Sequence, residues 1–369
     1  IKENPENLLV LSSLADLYVL NEKLKEASSI YEDLIVTNKG GKIEPMLRFN
    51  LGIIYARLRR PADAIAQLEE ALRMQPDSKE ICAALAVLYE MNKERGKAVE
   101  KYEELIKRKP GDIEARRFLG YLYIQQKNLH KALRQFEAIL SIEPRDVQSH
   151  LDAAFIYSKF HKFNKAREVL EEAGKNGVED VRLYAMGGLL YIQTKQFKEA
   201  IEAYAKALAA EPENSILNFY MGSACERAGR REEAVSFLKK AIQFDEKNAQ
   251  AYNHLGYMYA EEGSNLDEAV WLIDKALRLE PENGAYADSL GWAYFKKGAL
   301  DAAISELEKA GRLEPKDPTI RDHIGDAYFK KGLIEKAREA WQKSLELDPA
   351  QENVREKLKR NKQELIQTR

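Results

Sequence analysis

A period of about 34 residues runs through the sequence and constrains the fold more than any other feature of its 369 residues. The repeat is clearest from Gly284 to Pro315, where the small residue Gly291 is followed by Tyr294 and then by Ala303. Apolar residues on both sides of the KKG break recur at helical spacing. Each repeat is therefore predicted to form a helix, a turn and a second helix, with small residues where the two helices cross.

The same registers recur ten times along the chain. The small site is occupied, in order, by Ala15, Gly52, Ala86, Gly120, Ala154, Gly188, Gly222, Gly256, Gly291 and Gly325. The tyrosine site holds Tyr18, Tyr55, Tyr89, Tyr123, Tyr157, Tyr191, Cys225, Tyr259, Tyr294 and Tyr328. The alanine site holds Ala27, Ala64, Ala98, Ala132, Ala166, Ala200, Ala234, Ala269, Ala303 and Ala337. The chain is thus predicted to be one elongated array in which each repeat buries its apolar side against its neighbours.

The pattern resembles the tetratricopeptide repeat family, whose Leu-Gly, Tyr, Ala and Pro positions are matched, for example, at Leu119-Gly120 and Leu255-Gly256. The resemblance covers essentially the whole chain. It implies an all-α fold, a right-handed superhelical α-solenoid of helix-turn-helix repeats with a C-terminal capping helix. The resemblance says little about function, because the matching residues are packing residues.

The period also predicts the organisation of the chain. Residues 1–7 are expected to be the remnant of a preceding repeat, because Pro5 lies one period before the closing position of the first full repeat. Any targeting signal or membrane anchor is then expected upstream of Ile1. Ten repeats fill residues 8–349 and start near residues 8, 45, 79, 113, 147, 181, 215, 249, 284 and 318. Residues 350–369 are predicted to form a closing amphipathic helix whose apolar side holds Val354, Leu358, Leu365 and Ile366.

Composition and motifs argue against several classes of function. The chain has 58 basic and 60 acidic residues, so its charge gives no reason to expect nucleic acid as a partner. No apolar run is long enough to span a bilayer. Cys82 and Cys225 are predicted to be small buried core residues. The five histidines show no metal-ligand spacing, and no nucleophile or phosphate-loop motif occurs. The sequence therefore predicts no metal site, no cofactor and no enzyme active site.

The first helix of each repeat is the candidate binding surface, because this family usually binds its ligands on the concave face that these helices line. Residues three before, one after and four after the small site are expected to point inward. They are mostly apolar: Phe49, Ile53, Val87, Tyr121, Ile124, Leu151, Phe155, Leu189, Ile192, Phe219, Tyr257, Trp292, Phe295 and Phe329. The alternative is that several of them, above all Ile53, Val87, Phe155 and Leu189, pack against the next repeat. An exposed stripe would mark a binding site.

At the C-terminal end of this surface, aromatic and acidic residues alternate. The acids are Asp288, Asp322 and Asp326, and the aromatics are Trp292, Phe295 and Phe329. Such a mixture suits a partner segment that carries hydrophobic anchors and Lys or Arg. The alternative is that the acids are merely solvated, with Asp288 and Asp322 helping to start their helices.

The leading hypothesis is a non-enzymatic scaffold that binds a peptide or protein segment in an apolar, aromatic groove. The charge clamp and the asparagine ladder known from some relatives are absent from the matching positions. One alternative is a lipid or small-molecule carrier tube, and another is the regulatory arm of an enzyme whose catalytic domain lies outside this sequence. A loose similarity to bacterial tetratricopeptide assembly factors favours a bacterial cell envelope location, with the cytoplasm as the alternative. The oligomeric state is left open.

Overall fold

The computed structural model describes the backbone of residues 5–367 and the side chains of residues 8–359. Within these ranges all regular structure is α-helical, and no strand occurs there. The chain divides into two compact units, an N-terminal unit of residues 1–179 and a C-terminal unit of residues 180–369. The predicted remnant at residues 1–7 has no described side chains, and the backbone from Pro5 onward already belongs to the first helix.

The helices follow the predicted repeat without interruption. The N-terminal unit contains α1 Pro5–Leu20, α2 Leu24–Thr37, α3 Glu44–Arg57, α4 Pro61–Met74, α5 Lys79–Met91, α6 Arg95–Arg108, α7 Ile113–Gln125, α8 Leu129–Ile142, α9 Val147–Lys159 and α10 Phe163–Lys175. The C-terminal unit contains α11 Val181–Gln193, α12 Phe197–Ala210, α13 Ser215–Arg227, α14 Arg231–Phe244, α15 Ala249–Glu262, α16 Leu266–Leu279, α17 Gly284–Lys297, α18 Leu300–Leu313, α19 Pro318–Lys330, α20 Ile334–Leu347 and α21 Glu352–Gln367. Odd-numbered helices up to α19 are the first helices of repeats, and even-numbered helices are the second. The predicted all-α array of helical repeats is confirmed.

Short polar side chains start most of the first helices. An N-cap oxygen accepts a hydrogen bond from a backbone N–H in the first turn of α5, α7, α9, α11, α13, α15, α17 and α19. The N-cap residues are Ser78, Asp112, Asp146, Asp180, Asn214, Asn248, Asn283 and Asp317. These bonds satisfy N–H groups that a helix leaves without an internal partner.

The turn inside each repeat passes through the left-handed backbone region. Gly298 has a φ of +84° and ends α17, as the sequence predicts. Glycine adopts this conformation without strain because it has no Cβ. Six of the ten repeats nevertheless place another residue at this register, for example Lys127 with a φ of +60°.

The two helices of a repeat cross at the small site. A Cβ built on Gly120 of α7 would lie 2.7 Å from the Phe136 ring of α8, which leaves no room for a side chain there. A Cβ on Gly222 would meet both the Leu238 side chain and the backbone of Ala234. All ten alanines of the second-helix site are fully buried, as packing at this crossing requires. The predicted close approach of the helices is confirmed.

Successive repeats are joined by packing and by a recurring hydrogen bond. In both units the first helix of a repeat packs against the second helix of the preceding one, as α3 packs on α2 and α13 on α12. In several repeats the tyrosine of the motif donates its hydroxyl to a glutamate on that preceding helix. The bond from Tyr55 to Glu32 measures 2.7 Å, and equivalent bonds join Tyr89 to Glu69, Tyr123 to Glu103, Tyr157 to Glu137 and Tyr328 to Glu308. The tyrosine is thus both a packing residue and a link between repeats.

Each unit has its own apolar core. Cys82 lies in the core of the N-terminal unit and Cys225 in that of the C-terminal unit, and both are free and buried, as predicted. The closing helix α21 packs against α20 through the fully buried Val354, beside Trp341. Leu365 and Ile366 of the predicted apolar side lie outside the described side chains.

Candidate partner-binding surface

The N-terminal unit exposes four large apolar side chains on successive first helices. They are Ile53 on α3, Val87 on α5, Phe118 on α7 and Phe155 on α9, with 37, 59, 52 and 42% of each residue accessible to solvent. We call these four residues the N-terminal strip. The alternative expectation that Ile53, Val87 and Phe155 are covered by the next repeat is wrong.

The helices that carry the strip are neighbours in the fold. Helix α3 contacts α5 directly. Helices α5 and α7 are bridged by Lys79 Nζ and Glu114 Oε2 at 2.5 Å. Helices α7 and α9 are bridged by the Tyr121 hydroxyl, which donates to Asp152 Oδ2 at 3.0 Å. The four apolar residues therefore lie on first helices that follow one another in the fold.

Partly buried apolar residues anchor the helices of the N-terminal strip to the core of the N-terminal unit. Phe49, Tyr121 and Ile124, all candidate site residues, pack against the core of the N-terminal unit. Phe118 stacks on the buried ring of Tyr102, with 5.9 Å between the centroids. The candidate Leu151 is also partly buried. These contacts fix the helices that present the exposed side chains.

Phe118 is a strip residue that the sequence analysis did not select. It lies two positions before the small residue Gly120, at the register where certain relatives carry their asparagine ladder. Neighbouring residues at this register are polar or small, as at Asn50 and Ala84. The signal that could have found Phe118 was an aromatic residue at a register that holds Asn50, Ala84 and Asp152 in the other three strip-bearing helices.

The corresponding residues of the C-terminal unit are more covered. The candidates Leu189, Ile192, Phe219, Tyr257, Trp292 and Phe295 are all partly buried there. Phe219 meets the His254 ring edge-on, with 5.7 Å between the centroids. Burial, with the nearby charge of Glu261, raises the pKa of Tyr257 to about 12. The aromatic residues of this unit mainly contact one another and neighbouring polar groups.

The acids of the predicted C-terminal site have partners within the chain. Both carboxylate oxygens of Asp288 lie about 3 Å from His323 Nδ1. Lys357 of α21 places its Nζ 2.7 Å from an oxygen of Asp322 and 2.7 Å from an oxygen of Asp326. Asp288 and Asp322 are buried. The alternative that these acids are solvated is therefore wrong.

The same two acids do not start their helices either. The N-cap of α17 is Asn283 and that of α19 is Asp317. Asp288 and Asp322 lie about one turn further along, where their side chains face neighbouring helices. Their burial thus follows from contacts between repeats and not from helix capping.

The aromatic residues of the predicted C-terminal site, like its acids, already contact other groups of this chain. The Trp292 ring lies between Phe295, at 4.8 Å, and His323, at 4.3 Å between centroids. Its Nε1 donates a hydrogen bond to Glu261. Lys330 Nζ lies 4.4 Å from the centre of the Phe295 ring. Groups of this chain already make the cation and carboxylate contacts that were predicted for a partner.

The third candidate aromatic, Phe329, keeps 37% of its surface exposed and lies against Trp341, with 5.6 Å between the ring centroids. The role of Phe329 and of the other candidate residues in ligand binding stays a prediction.

Burial and charge shift two pKa values in this cluster. Burial lowers the pKa of His323, but the hydrogen bond and charge of Asp288, with further charge from Asp322 and Asp326, outweigh it. The pKa of His323 therefore lies above its ordinary value of 6.5. Burial also raises the pKa of Asp326 above its ordinary value, against the opposing effect of Lys357.

Two further properties concern the described part of the chain. Its His, Cys, Asp and Glu side chains form no group of three or more that could hold a metal ion. None of its helices combines the length and the apolar character needed to cross a membrane.

The stacked helix-turn-helix repeats, with their small crossing sites, define a helical-repeat protein. Family profiles described as "Tetratricopeptide repeat" match residues 13–79, 49–113, 84–147, 123–188, 191–256 and 320–351. A profile described as "TPR repeat" matches residues 291–332. The chain belongs to the tetratricopeptide repeat family, whose repeats generally mediate protein–protein interaction and scaffolding.

The chain is similar to several solved structures of helical-repeat proteins. The crystal structure of the APC/C hetero-tetramer Cut9-Hcn1 aligns with 94% of this chain and 74% of its own, at 16% identity and a TM-score of 0.55. A MamA protein aligns with 47% of this chain and 94% of its own, at 28% identity and a TM-score of 0.40. A thermophilic TPR protein from Thermus thermophilus aligns with 49% and 98%, at 19% identity and a TM-score of 0.43. No curated protein sequence matches the chain.

Proposed function

We propose that this protein is a non-enzymatic scaffold that binds an apolar segment of a partner protein on the N-terminal strip. The observation that carries the proposal is that four successive first helices each expose a large apolar side chain, Ile53, Val87, Phe118 and Phe155, each at least one third exposed. Contiguous exposed apolar surface is uncommon on soluble proteins and marks interaction sites. Aromatic side chains such as Phe118 and Phe155 are frequent binding hot spots.

The dimensions of the strip suit a short segment. Packed helices lie about 8–10 Å apart, so a row across four first helices extends about 25–30 Å. An extended peptide of roughly eight or nine residues covers this length at about 3.3 Å per residue. An amphipathic helix of about 20 residues does so at about 1.5 Å per residue. Both bind by placing apolar anchors at regular spacing.

The C-terminal unit supports this choice by contrast. A partner lysine that bound Asp322 there would have to displace Lys357, and a ring that stacked on Trp292 would have to displace Phe295 or His323. The N-terminal strip requires no such exchange, because its four residues are already exposed.

The partner is identified first by crosslinking. A photo-activated crosslinking residue at Met91, an exposed position one helical turn from Val87, captures the protein that lies on the strip. The affinity of that protein is then measured for the parent and for Val87→Asp, Phe118→Ala and Phe155→Ala. We expect at least one phenylalanine variant to lose about 2 kcal/mol, which is roughly a 30-fold weaker Kd.

The matched control is Trp271→Ala. Trp271 is an exposed aromatic residue on the second helix α16, in the C-terminal unit and outside the N-terminal strip. Its replacement should leave the affinity unchanged, and circular dichroism checks that all variants stay folded. If every strip variant binds the captured partner as tightly as the parent, the proposal is wrong.

A further inference from the structure

The turn after each strip-bearing helix carries a basic side chain where the backbone is left-handed. In all four of these turns the residue with a positive φ stands seven positions after the small site. These residues are Arg59, Lys93, Lys127 and His161, with φ values of +57°, +62°, +60° and +56°. All four residues are exposed. We call them the basic row.

Glycine fits this register without strain, and most of the C-terminal unit uses it. The last four repeats hold Gly229, Gly263, Gly298 and Gly332 there. The first repeat holds Glu22, and the sixth holds Lys195. A residue with a Cβ adopts this conformation at a cost, because its Cβ crowds the backbone. The four strip-bearing repeats therefore keep a basic side chain where the backbone favours glycine, and backbone strain of this kind is often found at functional sites.

Neighbouring acids do not neutralise the charges of the row. Among the side chains of residues 8–359, no carboxylate forms an ion pair with Arg59, Lys93 or Lys127. The acids close to them in sequence are paired with other cations, in the ion pairs Arg60–Asp63, Arg95–Glu90 and Lys97–Glu94. Lysine and arginine are protonated at neutral pH. An anionic partner therefore meets three cations here without displacing a carboxylate of this chain.

Contacts between successive repeats align these turns along one end of the first helices. Arg57, the last residue of α3, donates from Nη2 to both carboxylate oxygens of Glu22 in the preceding turn, at 2.9 and 3.0 Å. Gln126, in the turn after α7, donates to the backbone oxygen of Arg95, which follows the preceding turn. In both places the turn of one repeat lies beside that of the repeat before it.

The basic row lies beside the strip at a distance that one partner helix spans. Arg59, Lys93 and His161 follow the strip residues of their repeats by six positions, which is about 9 Å along a helix axis. A helix with its side chains is about 10–12 Å wide, so a helix on the strip brings one flank to the row. Cations from this end of the first helices also reach the strip, because Lys159 Nζ lies 5.2 Å from the centre of the Phe155 ring.

A helix can use both surfaces at once, whereas an extended strand cannot. In a strand, alternate side chains point to opposite sides, so the residues between the apolar anchors face away from the binding surface. In an amphipathic helix, the polar residues beside the apolar face point sideways along its whole length. Carboxylates at these flanking positions lie close enough to the row for their attraction to persist, since the Debye length is about 8 Å at physiological salt.

We propose that the partner segment bound on the N-terminal strip is an acidic amphipathic helix whose carboxylates face the basic row. This inference rests on the proposed function, because it takes the strip as the binding surface. The apolar face of the partner helix contacts the strip. Its acidic flank contacts Arg59, Lys93 and Lys127, so the row selects acidic segments over basic ones.

The test uses synthetic peptides as probes. Three fluorescein-labelled peptides of about 20 residues share leucine and phenylalanine at helical spacing and differ only at the flanking positions, which hold glutamate, glutamine or lysine. Their Kd values for the 369-residue chain are measured by fluorescence anisotropy. We expect the glutamate peptide to bind about tenfold tighter than the glutamine peptide and the lysine peptide to bind weakest, with smaller differences at high salt.

Two triple variants change the charge of the row at residues that the register accommodates. Arg59→Gly with Lys93→Gly and Lys127→Gly should abolish the preference for the glutamate peptide without lowering the melting temperature, because glycine fits the left-handed turn. Arg59→Glu with Lys93→Glu and Lys127→Glu should reverse the preference in favour of the lysine peptide. Glu22 already adopts this conformation in the first repeat.

The matched control removes three exposed cations from second helices of the same unit. It combines Lys25→Gln in α2, Lys107→Gln in α6 and Arg134→Gln in α8. Its net charge equals that of the glycine variant, yet the preference for the glutamate peptide should be unchanged. Circular dichroism checks that every variant stays folded.

Phe118→Ala separates this inference from the proposed function, because it should weaken the binding of all three peptides. If the parent binds the glutamate and glutamine peptides equally, or the control lowers the preference as much as the glycine variant, the inference is overturned. Weaker binding of the glutamine peptide to Phe118→Ala then still supports the strip. If the preference depends on the row but Phe118→Ala binds every peptide like the parent, both proposals fail. If no peptide binds, this inference is overturned, and crosslinking from Met91 tests the proposed function separately.

Discussion

Replacing Lys357 by methionine removes the cation that joins α21 to two carboxylates of α19. Removing one member of a fully buried ion pair costs about 3–5 kcal/mol, because the remaining charge stays buried. The Lys357 side chain is 30% exposed, so solvent screening reduces this figure. Asp326 also keeps a 3.1 Å hydrogen bond from Trp341 Nε1. We therefore expect Lys357→Met to lower the unfolding free energy of the C-terminal unit by about 2 kcal/mol.

Intrinsic fluorescence isolates the unit that is perturbed. The three tryptophans of the chain, Trp271, Trp292 and Trp341, all lie in the C-terminal unit. Urea unfolding followed by tryptophan fluorescence thus reports on that unit alone, and a shift of the midpoint at unchanged slope gives the change in free energy.

Two further variants separate the ion cluster from general effects on α21. Lys359→Met removes an exposed charge from the same helix and should change stability by less than about 0.5 kcal/mol. Asp322→Asn with Asp326→Asn should recover most of the loss in the Lys357→Met background, because no buried carboxylate then lacks its cation. If Lys357→Met behaves like Lys359→Met, the reasoning is refuted.

Two other changes test the pKa of His323 and the crossing of the helices. Because the folded pKa of His323 is raised, its charged form stabilises the C-terminal unit fully below about pH 6.5, and this contribution is lost as the pH rises through the raised value. His323→Gln should lack this pH-dependent loss of unfolding free energy, measured by tryptophan fluorescence at a series of pH values. An unfolding free energy that changes equally with pH in parent and variant would contradict the assignment. Gly120→Ala should cost about 1–3 kcal/mol by circular dichroism, because its Cβ would lie 2.7 Å from Phe136. Gly96→Ala in α6 meets no atom within 4 Å and should gain about 0.5–1 kcal/mol, so equal effects at the two glycines would refute the close packing.

The fold could be predicted almost entirely from the sequence because its determinants are local and periodic. A small residue such as Gly120 and its partner Phe136 are separated by 16 residues, within one repeat. Each repeat solves the same packing problem, so ten imperfect copies of the pattern support one another. The break at Gly298 was predictable for the same reason.

The binding surface was less predictable because its exposure depends on contacts between repeats. Ile53 and Trp292 occupy the same register, yet the first is exposed and the second is stacked against His323 from the next repeat. The register of His323 lies outside the three that were expected to face inward. Similarly, Asp322 is neutralised by Lys357, 35 residues further on, in a helix that was expected only to cap the array. A list of the registers expected to face inward does not predict these contacts, because each contact joins residues from different repeats or from the closing helix.

The hydrogen bond between tyrosine and glutamate joins the first helix of one repeat to the second helix of the preceding repeat. The pair of helices that it links is therefore offset by one helix from the 34-residue sequence repeat. Its two halves belong to consecutive repeats, so the loss of either repeat removes the bond. At Cys225 the tyrosine is absent, and the residue twenty positions earlier, where the glutamate would stand, is Ala205. A truncation or recombination point after a second helix would separate a tyrosine from its glutamate acceptor. A point after a first helix would preserve every tyrosine–glutamate bond on its N-terminal side. Where this bond is made, the linked unit therefore runs from one second helix through the next first helix.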